Sequence, residues 1–152
     1  MEALCIKIAI NKEFIKIISL YRPPNTNITE FFDYFEHILS TSHDPTYIIG
    51  DYNIDFNSYS SVKLNFENLF YSYNFIPLIT LPTRVTPNSS TIIDNILTNV
   101  YKKHNNGVLL SDFSDHYPIF SITQNYLTSN SNSNKILKRK LSKNIISKIK
   151  MI

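Results

Sequence analysis

An apolar run at residues 47–49 stops at Gly50 and is followed by Asp51 and Asn53. A run of this kind predicts a buried strand that ends in a tight turn at the glycine. Ligands bind at the carboxyl ends of strands in open α/β sheets, so both polar side chains are candidates to face one ligand. A carboxylate there can hold a metal or take a proton, and an amide can donate to a phosphate oxygen. The same spacing also fits an Asx-rich turn that only caps a core strand.

The first part of the chain predicts a β-hairpin followed by a helix. Residues 4–10 and 14–20 are β-branched runs joined by a short polar loop, and their nearly continuous apolar character predicts burial on both faces. Asn27 and Glu30 resemble a capping box at the start of an amphipathic helix that runs to about residue 42.

The remainder continues the alternation, so we expect an α/β fold. Apolar spacing predicts a second helix over residues 62–73 and strands within 75–81, 92–97 and 117–122. The polar stretches at 83–91 and 102–107 predict a loop and a hairpin-like turn. Asp94 lies inside an apolar run, where an acid is costly unless it is paired, so we expect a partner for it.

The composition is that of a folded domain, with 43% apolar and 13% aromatic residues in a chain of 152. A single cysteine, Cys5, excludes an intramolecular disulfide framework and a cysteine-rich zinc site. We therefore expect a reducing, intracellular compartment, either nuclear or cytoplasmic. No apolar run approaches the roughly 20 residues that span a bilayer, so no membrane partner is expected.

Three regions are predicted along the chain. Residues 1–126 form the domain, residues 127–134 are a linker rich in Ser and Asn, and residues 135–152 form a basic amphipathic helix. That helix carries seven Lys or Arg and no acid, which suits contact with nucleic acid, although a solvated helix leading into another domain is the alternative. The first strand begins almost at Met1, so the chain is expected to be cut within its core.

Four separate segments supply polar side chains at or near predicted strand ends. They carry Tyr21 and Arg22, Asp51 and Asn53, Asp94, and Asp115 with His116. Carboxylates for a hard cation and an imidazole that an acid can orient are the components of a metal-assisted hydrolase. A serine or cysteine nucleophile is less favoured, because no Ser stands in a nucleophile-elbow context and Cys5 lies in a strand.

At these residues the chain resembles the endonuclease/exonuclease/phosphatase family, most closely the apurinic-like endonuclease domain of non-LTR (LINE-type) retrotransposons. Four motifs carry the resemblance: Tyr-Arg-Pro-Pro-Asn at 21–25, Ile-Gly-Asp-Tyr-Asn at 49–53, Thr-Ile-Ile-Asp-Asn-Ile at 91–96 and Ser-Asp-His-Tyr-Pro-Ile at 114–119. The resemblance implies an incomplete four-layer α/β sandwich, its C-terminal portion, from an enzyme that nicks DNA with Mg²⁺ during retrotransposition.

The resemblance also implies a role for each motif residue. Asp51 would position or deprotonate the attacking water, and Asp115 would approach the metal with Asp51 and Asn53. Asn53 would also steady the phosphate, and His116, oriented by Asp94, would contact it. Tyr21 would hydrogen-bond near the scissile group, and Arg22 would contact a phosphate. The expected partners are DNA and a reverse transcriptase domain in a parent polyprotein.

One departure from the family pattern lowers the expected activity. The family has an Asn and a metal-binding Glu upstream, and neither Glu2 nor Glu13 stands in that motif context. Mg²⁺ requires several well-placed oxygens, so we expect weak or absent Mg²⁺ binding and an impaired enzyme that is weakly active or inactive by itself. The alternatives are a non-catalytic remnant that binds nucleic acid or a partner, and a phosphatase or small-molecule phosphodiesterase of the same superfamily.

Overall fold

A computed structural model describes residues 1–10 and 13–123 of the chain. The elements in order are β1 (Glu2–Ile10), β2 (Glu13–Tyr21), α1 (Ile28–Ser40), β3 (Thr46–Asp51), α2 (Ser61–Ser72), β4 (Ile76–Pro77), β5 (Arg84–Thr86), β6 (Ser89–Thr91), β7 (Asp94–Thr98), β8 (His104–Val108) and β9 (Ile119–Thr123). The α/β prediction is confirmed. The predicted linker at 127–134 and basic helix at 135–152 lie outside the described residues.

The main sheet has five strands in the order β1-β2-β3-β7-β4. Strands β2 and β3 are parallel, and the other neighbouring strands are antiparallel. Because a parallel pair needs a crossover, α1 lies between β2 and β3 in the chain. The side chain of Asn27 starts α1 by accepting hydrogen bonds from the backbone N–H groups of Thr29 (2.9 Å) and Glu30 (3.4 Å).

Both helices pack on one face of this sheet. Buried aromatic side chains dominate that core, and they belong to Phe31 and Phe35 of α1, Phe66 and Phe70 of α2, and Tyr52 after β3. Side chains alternate across a strand, so the other face has a core of its own. That second cluster contains Ile15, Tyr47 and Ile96, with Val108 and Ile119 of the β8–β9 pair packed against it.

Strand β1 does not have the burial that its sequence predicts. Its residues are exposed up to Ile10, which is only part-buried, and Leu4 and Ile6 are 68% and 49% exposed. The physical reason is position, because β1 is at the edge of the sheet and, among residues 1–10 and 13–123, pairs with β2 alone. The prediction of burial on both faces is therefore wrong for β1.

Two polar stretches also differ from expectation. Residues 83–91 contain the hairpin β5–β6 rather than a loop, and residues 104–108 form β8 rather than a turn. Gly50 is not at a turn either; it pairs with Leu20 inside the parallel ladder, where a Cβ would overlap the Leu20 carbonyl oxygen. Among the described residues no helix is long and apolar enough to cross a membrane.

Candidate active site

The strand register aligns three polar residues in one row across the sheet. Tyr21 of β2 is the pairing partner of Asp51 of β3, and Asp51 is the partner of Asp94 of β7. Directly paired residues project their side chains to the same face. The row lies at the carboxyl ends of the two parallel strands, where the sequence predicted it.

His116 joins this row through Asp94. Its Nδ1 lies 3.0 Å from Oδ2 and 3.3 Å from Oδ1 of Asp94, which supplies the partner that a carboxylate in an apolar run requires. The hydroxyl of Ser114 accepts the His116 backbone N–H at 3.1 Å, and an antiparallel bridge pairs His116 with Arg84. The imidazole is therefore held from both its ring and its backbone.

Asp51, Asp94 and His116 form one compact cluster. One ligand atom from each residue lies within 4.8 Å of the others, and all three residues are part-buried. Mg²⁺ is commonly held by one or two carboxylates together with water and substrate phosphate, so the donor set of this cluster fits that ion. Oxygen donors from two strands thus converge beside an oriented imidazole.

The carboxyl group of Asp51 has a raised pKa. Burial is the main cause, and the neighbouring Asp94 carboxylate raises the pKa further, whereas the Asn53 backbone N–H, His116 and Arg84 lower it. That N–H donates to Oδ1 of Asp51 at 2.9 Å. A carboxyl group in this position holds a proton more readily than one in water, which suits a proton acceptor.

Arg22 and Asn53 clamp the two loops that follow β2 and β3. The Arg22 side chain, 6% exposed, donates to the carbonyl oxygens of Pro23 (3.2 Å) and Asn53 (3.4 Å), and its guanidinium lies 5.5 Å from the centroid of the Phe31 ring. In return, the Asn53 amide donates to the Arg22 carbonyl oxygen at 2.8 Å. The structure thus turns the Arg22 guanidinium inward.

Asn53 has a left-handed backbone, with φ at +47°, which asparagine tolerates better than most residues. The Arg22 backbone N–H also donates to the carbonyl oxygen of Asp51 at 2.9 Å. Together with the side-chain contacts, these bonds fix the turn that follows Asp51. The sequence predicted substrate contacts for Arg22 and Asn53, and the structure engages the Arg22 guanidinium and the Asn53 amide nitrogen within this clamp.

Asp115 and Tyr21 occupy more open positions. Oδ2 of Asp115 accepts a hydrogen bond from Nε of Arg84 at 2.7 Å, and this bond lowers the pKa of the Asp115 carboxyl group. Asp115 is not among the three residues whose ligand atoms converge. Tyr21 is exposed at the end of the row, beside Asp51.

Two residues of the site were missed in the sequence. The Thr83 side chain is fully buried, and its hydroxyl accepts the backbone N–H groups of Ile93 (3.1 Å) and Asp94 (3.0 Å), so it supports Asp94. Arg84 bonds Asp115. Both stand in a polar stretch that was interpreted as a loop, and no apolar pattern in that stretch marks the hairpin that the structure has there.

The chain matches a known protein family over most of its length. The sequence model of a family described as "Endonuclease-reverse transcriptase" matches residues 15–120, more than half of the chain. These residues include the whole Asp51–Asp94–His116 cluster. No curated protein sequence matches the chain significantly.

Several solved structures share the fold. The endonuclease domain of TRAS1, a telomere-specific non-LTR retrotransposon, superposes with a TM-score of 0.67 at 13% identity over 80% of this chain and 63% of that chain. An endonuclease/exonuclease/phosphatase family protein from Leptotrichia buccalis gives 0.62 at 15% identity, over 80% of this chain and 53% of that chain. A Staphylococcus aureus beta toxin variant with bound magnesium ions gives 0.56 at 17% identity, over 80% and 57%. The chain thus spans less than two thirds of these relatives.

Proposed function

Because the chain belongs to the endonuclease-reverse transcriptase family and has an endonuclease/exonuclease/phosphatase-type fold, we propose that it hydrolyses DNA phosphodiester bonds with the help of Mg²⁺. The observation that carries this proposal is the convergence of Asp51, Asp94 and His116 within 4.8 Å. These residues come from three separate segments, so their meeting is a property of the fold and not of one local turn.

The carboxylates of Asp51 and Asp94 would hold the metal ion. When bound, Mg²⁺ supplies positive charge that stabilises the negative charge developing on the phosphate and activates water. Two carboxylates are few for Mg²⁺, which then depends on water and on substrate phosphate for its remaining ligands. We therefore expect weak binding, with activity that saturates only at millimolar Mg²⁺.

The side chains of the chain itself supply acid–base chemistry and positioning. Asp51 would also orient the attacking water by a hydrogen bond and accept its proton. Asp94 would accept the Nδ1–H of His116, and in the doubly protonated imidazolium form Nε2 would donate to a phosphate oxygen. The phenol of Tyr21, exposed at the end of the row, is available to donate near the scissile group.

DNA is the proposed substrate, and a reverse transcriptase is the proposed functional neighbour. The family description names both activities, and the TRAS1 relative is the endonuclease domain of a retrotransposon. The structural likeness is below 25% identity, so it supports the fold and leaves the substrate to experiment.

Nicking of supercoiled plasmid in millimolar Mg²⁺ tests the proposal. We expect the wild-type chain to nick, and Asp51→Asn and His116→Gln to reduce the rate by about 100-fold or more, as loss of a catalytic group commonly does. Asp44→Asn is the matched control, because Asp44 is an exposed aspartate that pairs with Lys7, away from the cluster. A wild-type chain that does not nick, or an Asp51→Asn chain that nicks equally fast, would contradict the proposal.

A further inference from the structure

We propose that Arg84 binds the substrate phosphate at this site and that Asp115 aims it. This inference rests on the proposed function, since it names a further substrate contact of the same cluster. Arg84 is the first residue of β5, its side chain is 43% exposed, and only its Nε is bonded to Asp115.

The backbone places Arg84 beside the catalytic imidazole. Arg84 pairs with Thr91 on one side and with His116 on the other, so residues 84–86 form the middle of a small three-stranded arrangement. Backbone bonds flank the bridge, with the Val85 N–H donating to the Asp115 carbonyl oxygen (3.0 Å) and the Tyr117 N–H donating to that of Thr83 (2.7 Å). Directly opposite residues in an antiparallel pair point to the same side, with Cβ atoms about 5 Å apart.

The chemistry of the guanidinium suits a phosphate. Arginine has five N–H donors in a planar fork, and two terminal amino groups bind two oxygens of one phosphate. Nε is bonded to Asp115, and no hydrogen bond within the described residues engages the two terminal amino groups of this 43% exposed side chain, so these groups are the donors available to a phosphate. Asp115 is therefore a positioning residue in this proposal, whereas the sequence suggested that it approaches the metal.

The negative charge of the site favours a role for Arg84 in binding DNA, in addition to its ion pair with Asp115. A DNA strand must approach the carboxylates of Asp51, Asp94 and Asp115, which repel it. Arg84 lies close enough to Asp51 and Asp94 to interact with both electrostatically. Its positive charge therefore acts where a polyanion meets the acidic row.

An ordinary surface ion pair is the competing explanation, and the chain contains one for comparison. Lys7 pairs with Asp44 at 2.9 Å, also between exposed side chains. Lys7 is paired in register with Lys16, and Lys16 with Thr46 at the start of β3, so this pair lies at the end of the sheet opposite to Asp51. Exposed pairs of this kind contribute little on their own.

Binding of a fluorescently labelled DNA duplex by the full chain tests the inference, with Ca²⁺ in place of Mg²⁺ and salt varied from about 50 to 200 mM. We expect Arg84→Gln to weaken binding about five- to tenfold at low salt and to reduce the slope of log affinity against log salt by about one. Arg84→Lys keeps the charge and retains the slope while losing the fork. Asp115→Asn retains the slope, and Lys7→Gln matches the wild type.

An unchanged slope in Arg84→Gln, an equal reduction in Lys7→Gln, or the absence of duplex binding by the wild type would overturn the inference. Its failure is distinguishable from failure of the proposed function, because cleavage is measured separately. If Asp51→Asn loses nicking while Arg84→Gln binds DNA like the wild type, only the role of Arg84 is rejected. If Arg84→Gln has the reduced slope while Asp51→Asn nicks normally, phosphate binding stands and the hydrolytic centre is rejected.

Discussion

At the scale of single residues, the ionised carboxylate of Asp51 lowers the stability of the folded state. Its folded-state pKa lies above the value of an unfolded aspartate, chiefly because it is partly buried. The folded state then binds a proton more tightly than the unfolded state, so stability falls as pH rises above about 4. Partial burial of this ionised carboxylate thus lowers the free energy of unfolding at neutral pH, and contacts elsewhere in the fold must offset that loss.

The first prediction follows from the destabilising effect of the Asp51 charge above a pH of about 4. Asp51→Asn removes a partly buried charge and keeps an oxygen to accept the Asn53 N–H, so it should raise the free energy of unfolding at pH 7, by less than about 1 kcal/mol because solvent screens this partly exposed group. The gain should vanish near pH 3, where the wild-type carboxyl is protonated in both states. Urea denaturation at both pH values measures it, and an equal or lower stability at pH 7 would contradict it.

A second prediction concerns the clamp of Arg22. Arg22→Met removes the bonds to the carbonyl oxygens of Pro23 and Asn53 and so loosens the turn that directly follows Asp51. We expect kcat for nicking to fall about tenfold with KM nearly unchanged, since the loss is one of positioning. A rise in KM at constant kcat would instead indicate the direct phosphate contact that the sequence suggested.

Sequence reasoning named candidate residues that the structure brings together, but it did not predict all of their contacts. Asp51, Asp94 and His116, whose ligand atoms the structure brings together, were predicted as candidates because each stands at or near a predicted strand end. The contacts of Arg22, Asp115 and Arg84 were not, because the direction of a long side chain depends on neighbours that are distant in the chain. Arg22 bonds Asn53, which lies 31 residues away, and Arg84 bonds Asp115 at the same separation.

At the scale of secondary-structure elements, Gly50 determines how closely β2 and β3 approach. A Cβ at this position would overlap the backbone carbonyl of Leu20, which cannot move without breaking the parallel ladder. Gly50→Ala should therefore lower the free energy of unfolding by about 3 kcal/mol or more. Chemical denaturation measures the change.

Gly107→Ala is the matched control for that prediction. Its Cβ would meet only the outer ring atoms of Phe120, at 2.8 Å, and a side chain can turn aside. We expect a loss of about 1 kcal/mol there. Equal losses at the two glycines would show that the approach of β2 and β3 is not the limiting contact.

Elements with strong apolar periodicity were predicted well, and polar ones were not. Helices α1 and α2 and strands β2 and β3 bury apolar side chains at regular intervals. Strands β6 and β8 consist mostly of Ser, Thr, Asn and His, so no local pattern marks them. They exist because of their pairing partners, and β8 finds its partner in β9.

At the scale of the whole molecule, the edge strand β1 exposes apolar side chains to solvent. Leu4, Ile6 and Ile8 are exposed on it, and a groove of about 380 Å³ beside them is lined by Ile15, Ile17 and other apolar side chains. Position in the sheet decides this exposure, and composition cannot reveal position. Long apolar edge strands are sites of self-association.

Ile6→Lys should therefore reduce self-association of the full chain. A charge in the middle of an edge strand blocks pairing with a second strand, and an already exposed side chain loses little burial. Light scattering at increasing protein concentration measures the effect. Leu110→Lys is the control, because it adds the same charge at a side chain that is 86% exposed and lies outside β1. Equal association of Ile6→Lys and the wild type would contradict this prediction.

The central claim is that side chains from three distant segments act as one hydrolytic centre. A double-mutant cycle on the single-turnover nicking rate tests it most directly, using Asp51→Asn, His116→Gln and the double variant. Residues that act as a unit are strongly non-additive, so the account predicts that the double variant is no slower than the slower single variant within about threefold. Losses that multiply, or a single variant as fast as the wild type, would contradict it.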